Sequence, residues 1–306
     1  MLGLLCAITS ALAFAANDTA LRRGILFSSV YKSIIVTVPI GIPLFLLVIA
    51  IFNCWDDLYN LNLSSIFFFS IAGLIHFVFG RYFNFKTIES LGATQAGPIV
   101  QIGLLVSVCF AVFVLGEGVN IYHIIGIGLL LMGPLFILLG SRRDNFTNSG
   151  IKMNYNMGFF WGLMCSFCYG TSPLLIKLGI SAGTDNIKFT IVGGFISYLS
   201  AMLCLIIIIL FSGIKIKDAL TIDPRGMKWF TITGFMGAIA QLLRYAALGV
   251  LPISIVEPIH RTSVIFRVLF GYILNRKHEI INIRVLSGVG LSLLGAYLLI
   301  LQLNLF

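Results

Sequence analysis

Long apolar runs, separated by short polar breaks, set the pattern of this chain. A helix needs about 20 apolar residues to cross a bilayer. Ten segments have that character: 2–21, 28–52, 64–85, 93–115, 119–140, 156–177, 188–211, 227–248, 252–274 and 280–303. The connections are short. The longest spans 141–155 and reads SRRDNFTNSGIKMNY, polar and Asn-rich with Gly150 as a breaker, so it is the best linker between two halves.

Those halves resemble each other. Laid on the segment that starts after 155, the first helix places Gly3 on Gly158, Phe14 on Tyr169, Asn17 on Ser172, Arg22 on Lys177 and Gly24 on Gly179. Further along, Arg81-Tyr82 falls on Arg244-Tyr245 and Glu117 on Glu279, and Gly126, Gly128 and Gly133 fall on Gly288, Gly290 and Gly295. Matches of Leu and Ile mean little in apolar helices; the glycine and Arg-Tyr matches are more specific. Five spans in each copy, an odd number, turn the second copy over in the membrane. Inverted repeats are the signature of secondary transporters, whose substrate site lies between the halves near the midplane. The expected fold is an all-α membrane protein with ten transmembrane helices in two inverted five-helix repeats, 1–140 and 156–306, joined by 141–155. Gly126, Gly128 and Gly133, with Gly288, Ser292 and Ala296, are expected to give smooth faces for close helix packing.

Composition agrees with lipid as the main solvent. Of 306 residues, 59% are hydrophobic and 10% charged, against about 25% charged in a soluble domain. The formal charge of +9 fits loops that meet anionic headgroups; no basic run is long enough for nucleic acid. Cys165 and Cys168 form a C-x-x-C with no second pair or close His, so small-residue packing explains them better than a metal. The opening MLGLLCAITSALAFAANDTALRRG lacks a basic n-region and is expected to be a retained first helix. Loop charges, among them Arg22, Arg23, Arg142, Arg143, Lys215, Lys217, Arg276 and Lys277, gather at the end opposite the termini. The positive-inside rule therefore favours both termini outside.

The chain is organised around 241–267, QLLRYAALGVLPISIVEPIHRTSVIFR, and its counterpart 81–102, RYFNFKTIESLGATQAGPIVQI. Charges in such segments cost roughly 2.5–3.5 kcal/mol each on insertion scales and persist where they face a bundle interior, a wet cavity or a partner. Each polar residue also has a structural reading. Arg81 and Arg244 stand near span ends, where arginines snorkel. Glu257 and Arg261, at i and i+4, fit an internal ion pair, as do Asp18 and Arg22. His76 and His260 fit satisfied core histidines. Gln95, which aligns with Glu257, and Gln101 can bond substrate or a facing helix. Arg267 is too deep to snorkel, and Pro258, between Glu257 and His260, fits a kink that opens a polar pocket. The substrate-cavity candidates are Asn17, His76, Arg81, Gln95, Gln101, Tyr169, Gln241, Arg244, Tyr245, His260, Arg261 and Arg267; Glu257 and Asp18 are the candidates for proton coupling. No phosphate-binding loop, Ser/His/Asp grouping or metal-ligand cluster stands out, so neither an ATP-driven pump nor an enzyme is expected, and no cofactor or metal.

The doubled arrangement resembles the drug/metabolite transporter superfamily, in particular its EamA-like ten-helix branch. The resemblance covers nearly the whole chain. It rests on the two repeats and on VLGEGVNIYHIIGIGLLLMG, residues 114–133, where Gly116-Glu117 precede a polar stretch and an Ile-Gly pattern. The second copy, NRKHEIINIRVLSGVGLSLLG, keeps Glu279 and Gly288 but has His278 in place of the glycine. The resemblance implies a plasma (inner) membrane carrier or exporter of small metabolites, with a central cavity and an N-terminus inside, which the loop charges oppose. Basic groups outnumber acidic ones in the two stretches, which points to a substrate with an anionic group and to proton or counter-ion coupling. A lipid-carrier flippase, for a phospholipid or polyprenyl phosphate, and a non-transporting sensor or accessory protein are the alternative readings. The second would show a tight, dry interior with its arginines paired internally.

Overall fold

The computed structural model describes residues 1–115, 121, 124–126, 128–129, 132–133, 136, 152–183, 186–212 and 221–301. Gly116-Glu117, much of 119–140, the linker residues 141–151 and the loop charges Arg142, Arg143, Lys215 and Lys217 lie outside the described residues.

The regular elements are helices. They are α1 (Leu2–Gly24), α2 (Val30–Thr37), α3 (Gly41–Ile51), the short α4 (Trp55–Tyr59), α5 (Leu63–Gly73), a π-helical segment (Leu74–Gly80), α6 (Arg81–Leu91), α7 (Ala93–Val100) and α8 (Gly103–Leu115). After the linker come α9 (Tyr155–Ser181), α10 (Ile187–Phe211), α11 (Pro224–Leu248), α12 (Ile253–Arg261), α13 (Ser263–Asn275) and α14 (Ile283–Leu301). Among the described residues, five stretches are long and apolar enough to cross a membrane: Leu2–Gly24, Val30–Ile51, Leu63–Leu91, Tyr155–Ser181 and Ile187–Phe211. The expected spans 93–115 and 252–274 are each broken in two.

Local chemistry explains where helices start. Asn62, Asn154 and Asn186 accept from Ser65, Met157 and Phe189 N–H at 2.7, 3.2 and 2.6 Å, and Asp223 accepts from Arg225 N–H at 2.8 Å with Pro224 at the first turn. Each cap satisfies a donor the helix leaves orphaned. Pro43 has no N–H for the Pro39 carbonyl; Ile42 N–H takes it instead at 3.2 Å, and α2 and α3 part there.

Contacts between helix ends sort the bundle into two ends. Asn154 N–H donates to Ser90 O at 2.9 Å, so α9 begins where α6 finishes. Lys32 reaches Thr221 O at 2.5 Å beside the start of α11. At the opposite end Ser65 Oγ donates to Gly179 O at 2.8 Å, joining the start of α5 to the finish of α9. Large apolar side chains point outward, with Phe67 59%, Ile207 55% and Phe211 86% exposed, as a lipid solvent requires. Polar atoms tie the interior: Ser10 Oγ donates to Ala240 O and Asn17 Nδ2 to Thr233 O, both at 2.7 Å, which seats α1 along α11.

Small residues allow the closest approaches. A Cβ on Gly103 would lie 2.7 Å from Ser166 O on α9, and one on Gly133 would lie 2.5 Å from Gly288 O on α14 and overlap Ser292 Oγ. Gly128 differs from the expected smooth face: among the described residues, a Cβ there would meet nothing within 4 Å.

Candidate functional site: a charged crossing of two broken helices

The α7–α8 and α12–α13 breaks lie against each other. Near Gln101 the bonding tightens to i,i+3, with Leu104 N–H on Gln101 O at 2.9 Å; near Thr262, Ile265 N–H bonds Thr262 O at 3.0 Å. Val100 O and Arg261 O thereby lose their ordinary helical donors. Each is satisfied from across the crossing: Arg261 Nη1 donates to Val100 O at 3.2 Å and Gln101 Nε2 to Arg261 O at 2.9 Å. Non-helical backbone at membrane depth is tolerated only with such partners. Pro98 stands inside α7 about one turn before its break; the kink expected at Pro258 rests on a side chain outside the described residues.

Three arginines converge beside this crossing. Glu257, 1% exposed, accepts from Arg244 Nη2 at 2.6 Å and Nε at 3.1 Å on one oxygen, and from Arg261 Nη2 at 3.1 Å on the other. Arg267 Nη2 lies 2.6 Å from Asp18 Oδ2, and Asn84 Nδ2 donates to Asp18 Oδ1 at 3.0 Å. Arg244, Glu257, Arg261 and Arg267 line a void of about 20 Å³ together with Phe14, His76, Gly97, Val100, Gln101, Tyr169, His260, Ser263 and Val264. That is room for about one water. Arg244 Nη1, Arg261 Nε, Arg267 Nε and His260 Nε2 are buried without a hydrogen-bond partner among the described residues.

The π-helical segment aims two more candidates inward. Its wider turn carries His76, whose ring stacks on Tyr169 at 4.3 Å and whose Nε2 lies 2.5 Å from Gln241 Nε2. Since Gln Nε2 is a donor, the contact requires His76 Nε2 as acceptor or an amide flip. Arg81 follows directly and is 5% exposed. It donates to Tyr198 Oη at 3.0 Å and lies over the Phe77 and Tyr198 rings at 5.2 and 5.6 Å, with no carboxylate in ion-pair contact among the described residues.

The candidates thus separate into groups. His76, Gln101, Tyr169, Arg244, Glu257, His260, Arg261 and Arg267 line the void; Gln241 holds His76. Asn17, Asp18, Arg81, Gln95 and Tyr245 do not line it. Gln95 Nε2 bonds Ile280 O at 3.4 Å, and Tyr245 Oη bonds Ser197 Oγ at 2.8 Å within the apolar core. The i,i+4 pairing of Glu257 with Arg261 is present. That of Asp18 with Arg22 is not: Asp18 turns to Arg267, and Arg22 to Glu279 at 3.8 Å. Arg81 and Arg244, placed near span ends by the sequence, are buried rather than snorkelling: the π segment and α6 carry the third span on past Arg81 to Leu91, and Arg244 is held inside by Glu257. Phe14, which lies edge-on to His260 at 4.4 Å, also lines the void, although the sequence candidates do not include it. Its alignment with Tyr169 was the available signal.

The profile of the EamA-like transporter family matches residues 1–139 and 156–301. A solved structure described only as the crystal structure of a protein superposes with a TM-score of 0.66 and 17% sequence identity, over 99% of this chain and 97% of that one. This likeness bears on fold alone. No curated protein sequence matches. The chain belongs to the EamA-like transporter family, and is a multi-pass membrane protein.

Proposed function

We propose that this protein is a secondary-active carrier, in the plasma (inner) membrane, for a small metabolite that bears at least one anionic group, working by alternating access around the void between its halves. The observation that carries the reading is the charge imbalance. Arg244, Arg261 and Arg267 line one void that, among the described residues, a single carboxylate, Glu257, faces. Across the described interior, Arg22, Arg81, Arg244, Arg261 and Arg267 are buried against Asp18, Glu257 and Glu279. A guanidinium does not shed its proton, and its fork fits a carboxylate or phosphate. The void also meets Ser263, at the positive N-terminal end of α13.

The architecture belongs to the same proposal: ten spans in two inverted repeats, 1–140 and 156–306, with 141–155 as the link. It is supported by the opposite ends at which α1 and α9 begin and by the reciprocal bonds at the crossing of the two broken helices. A void of about 20 Å³ holds no metabolite, so this conformation is read as a closed one. Glu257 and Asp18 are the acids placed to couple protons.

The same tightness favours a second reading, a non-transporting membrane protein. Four of the five buried arginines have carboxylate partners. Uptake into proteoliposomes, screened across organic acids, amino acids, phosphorylated metabolites and neutral analogues, separates the two. Uptake or counterflow of an anionic class supports the carrier; none in any class supports the second reading.

A further inference from the structure

At one end of the bundle a series of polar contacts leads away from the void. From Ser263 at the void, α13 runs toward the end where α1 and α6 finish, and one of its faces meets α1 and α7 turn by turn. Arg267 pairs with Asp18, a Cβ on Gly271 would lie 2.6 Å from Thr94 Oγ1, and Asn275 Nδ2 donates to Thr19 O at 2.9 Å. Beyond this ladder stands Arg22, only 2% exposed although it is the third residue from the end of α1. Its Nη1 donates to Ile88 O and Glu89 O, both at 3.1 Å, and its Nη2 to His278 O at 3.0 Å. Glu279, 3% exposed, accepts from Ala93 and Thr94 N–H at 2.7 and 3.1 Å while its Oε1 lies 3.8 Å from Arg22 Nε. Gly92, at φ 82°, leaves the space for this carboxylate: a Cβ there would overlap it. Burial raises the Glu279 pKa, and the Arg22 charge and the hydrogen bonds from Ala93 and Thr94 offset only part of that rise; the two N–H donors on its oxygens and the guanidinium 3.8 Å away favour the ionised form.

A guanidinium and a carboxylate, taken out of water at a membrane face, have no such environment at an ordinary loop. Together they join α1, the α6–α7 turn and the α13–α14 turn, segments from both halves of the sequence. We infer that Arg22 and Glu279 form a lock that holds this end of the pathway closed, and that the end opens only when Arg22 leaves the α6 carbonyls and Glu279 leaves the N-terminus of α7. Once the lock separates, both groups regain water at the membrane surface. Their hydration offsets the lost contacts and keeps the open state within reach. The Asp18–Arg267 pair lies between lock and void, so opening at Arg22 continues inward along the same face of α13. This inference rests on the alternating-access reading.

The test uses a cysteine-free full-length chain carrying Ser263→Cys in the void and a membrane-impermeant thiol reagent added from one side of oriented vesicles at a time. Glu279→Gln and Arg22→Gln are each expected to raise the labelling rate from the Arg22 end at least about tenfold, the scale of a lost charge-assisted hydrogen bond. The double variant should rise no further than the stronger single, since both break one lock. Asn275→Ala, which loses one neutral hydrogen bond, should give a smaller rise from the same end and serves if the charge variants fail to reach the membrane. Unchanged labelling from the Arg22 end, or equal rises from both ends, overturns the lock. Labelling involves no substrate, so a chain that opens at this end yet takes up nothing refutes the carrier reading and leaves the lock standing.

Discussion

Replacing Glu257 by Gln removes the one carboxylate shared by Arg244 and Arg261 while keeping its shape. The carboxylate is 1% exposed and takes three hydrogen bonds of 2.6–3.1 Å from two guanidiniums. Breaking a buried pair by deleting one partner costs about 3–5 kcal/mol. Gln retains one acceptor oxygen, which places the loss near the lower bound, about 3 kcal/mol. The cost comes from stranded positive charge, so removing a guanidinium as well should return part of it. Glu257→Gln with Arg244→Met should be less destabilised than the sum of the singles by about 1–3 kcal/mol. An external anion should return part of it too. At about a hundred times its Kd, a ligand stabilises by about 2.7 kcal/mol. The assay is thermal unfolding in detergent, followed by reaction of a thiol dye with buried Cys165, 0% exposed, and Cys168, 8% exposed. Small carboxylates or phosphate should raise the melting temperature of Glu257→Gln more than that of the parent, and neutral amides of equal size should not. Strict additivity in the double variant, together with no anion selectivity, would refute the view that Glu257 occupies an anion site.

Further expectations test other parts. If Glu257 couples transport to protons, Glu257→Gln abolishes pH-gradient-driven accumulation but keeps counterflow exchange; retained pH-driven accumulation assigns it to charge neutralisation instead. Cysteines at Asn53 and Lys277, both exposed and at opposite ends of the bundle, should label from opposite sides of the membrane; labelling from one side contradicts the architecture, and the side that reports Lys277 decides the orientation. Gly103→Val forces a side chain into Ser166 O on α9 and should cost about 1–3 kcal/mol of stability, whereas Gly128→Ala, in open space, should cost within about 0.5 kcal/mol; equal effects would mean α8 and α9 are not in close contact.

Much of the fold is legible because apolar length is a direct signal of spanning helix. Asn62, Asn186 and Asp223 start helices where their side chains cap apolar runs, so those boundaries also follow from sequence. Glu257 and Arg261 were recoverable for the same local reason, an i,i+4 spacing. Asp18 shows the limit. Its spacing to Arg22 is equally good, yet a guanidinium from α13 reaches it and Arg22 bends to a turn 256 residues away in sequence. No helical periodicity carries that information; only the repeat relation of Glu279 to Glu117 hinted that Glu279 had a role. The π segment that turns His76 and Arg81 inward has no local sequence signal either. Loop-charge counting also misplaced Arg22, which is buried among carbonyls and not free to meet headgroups.

The most direct measurement is initial uptake into proteoliposomes of an anionic substrate and of its neutral isostere, by the parent chain and by Arg244→Ala. Arg244 makes two hydrogen bonds to Glu257, and its Nη1 has no hydrogen-bond partner among the described residues. The account predicts that Arg244→Ala weakens handling of the anion by about 10–150-fold, the range of one charge-assisted hydrogen bond, and changes that of the neutral analogue by less than about threefold. Equal losses for both compounds would make Arg244 a structural residue and contradict the anionic-substrate reading.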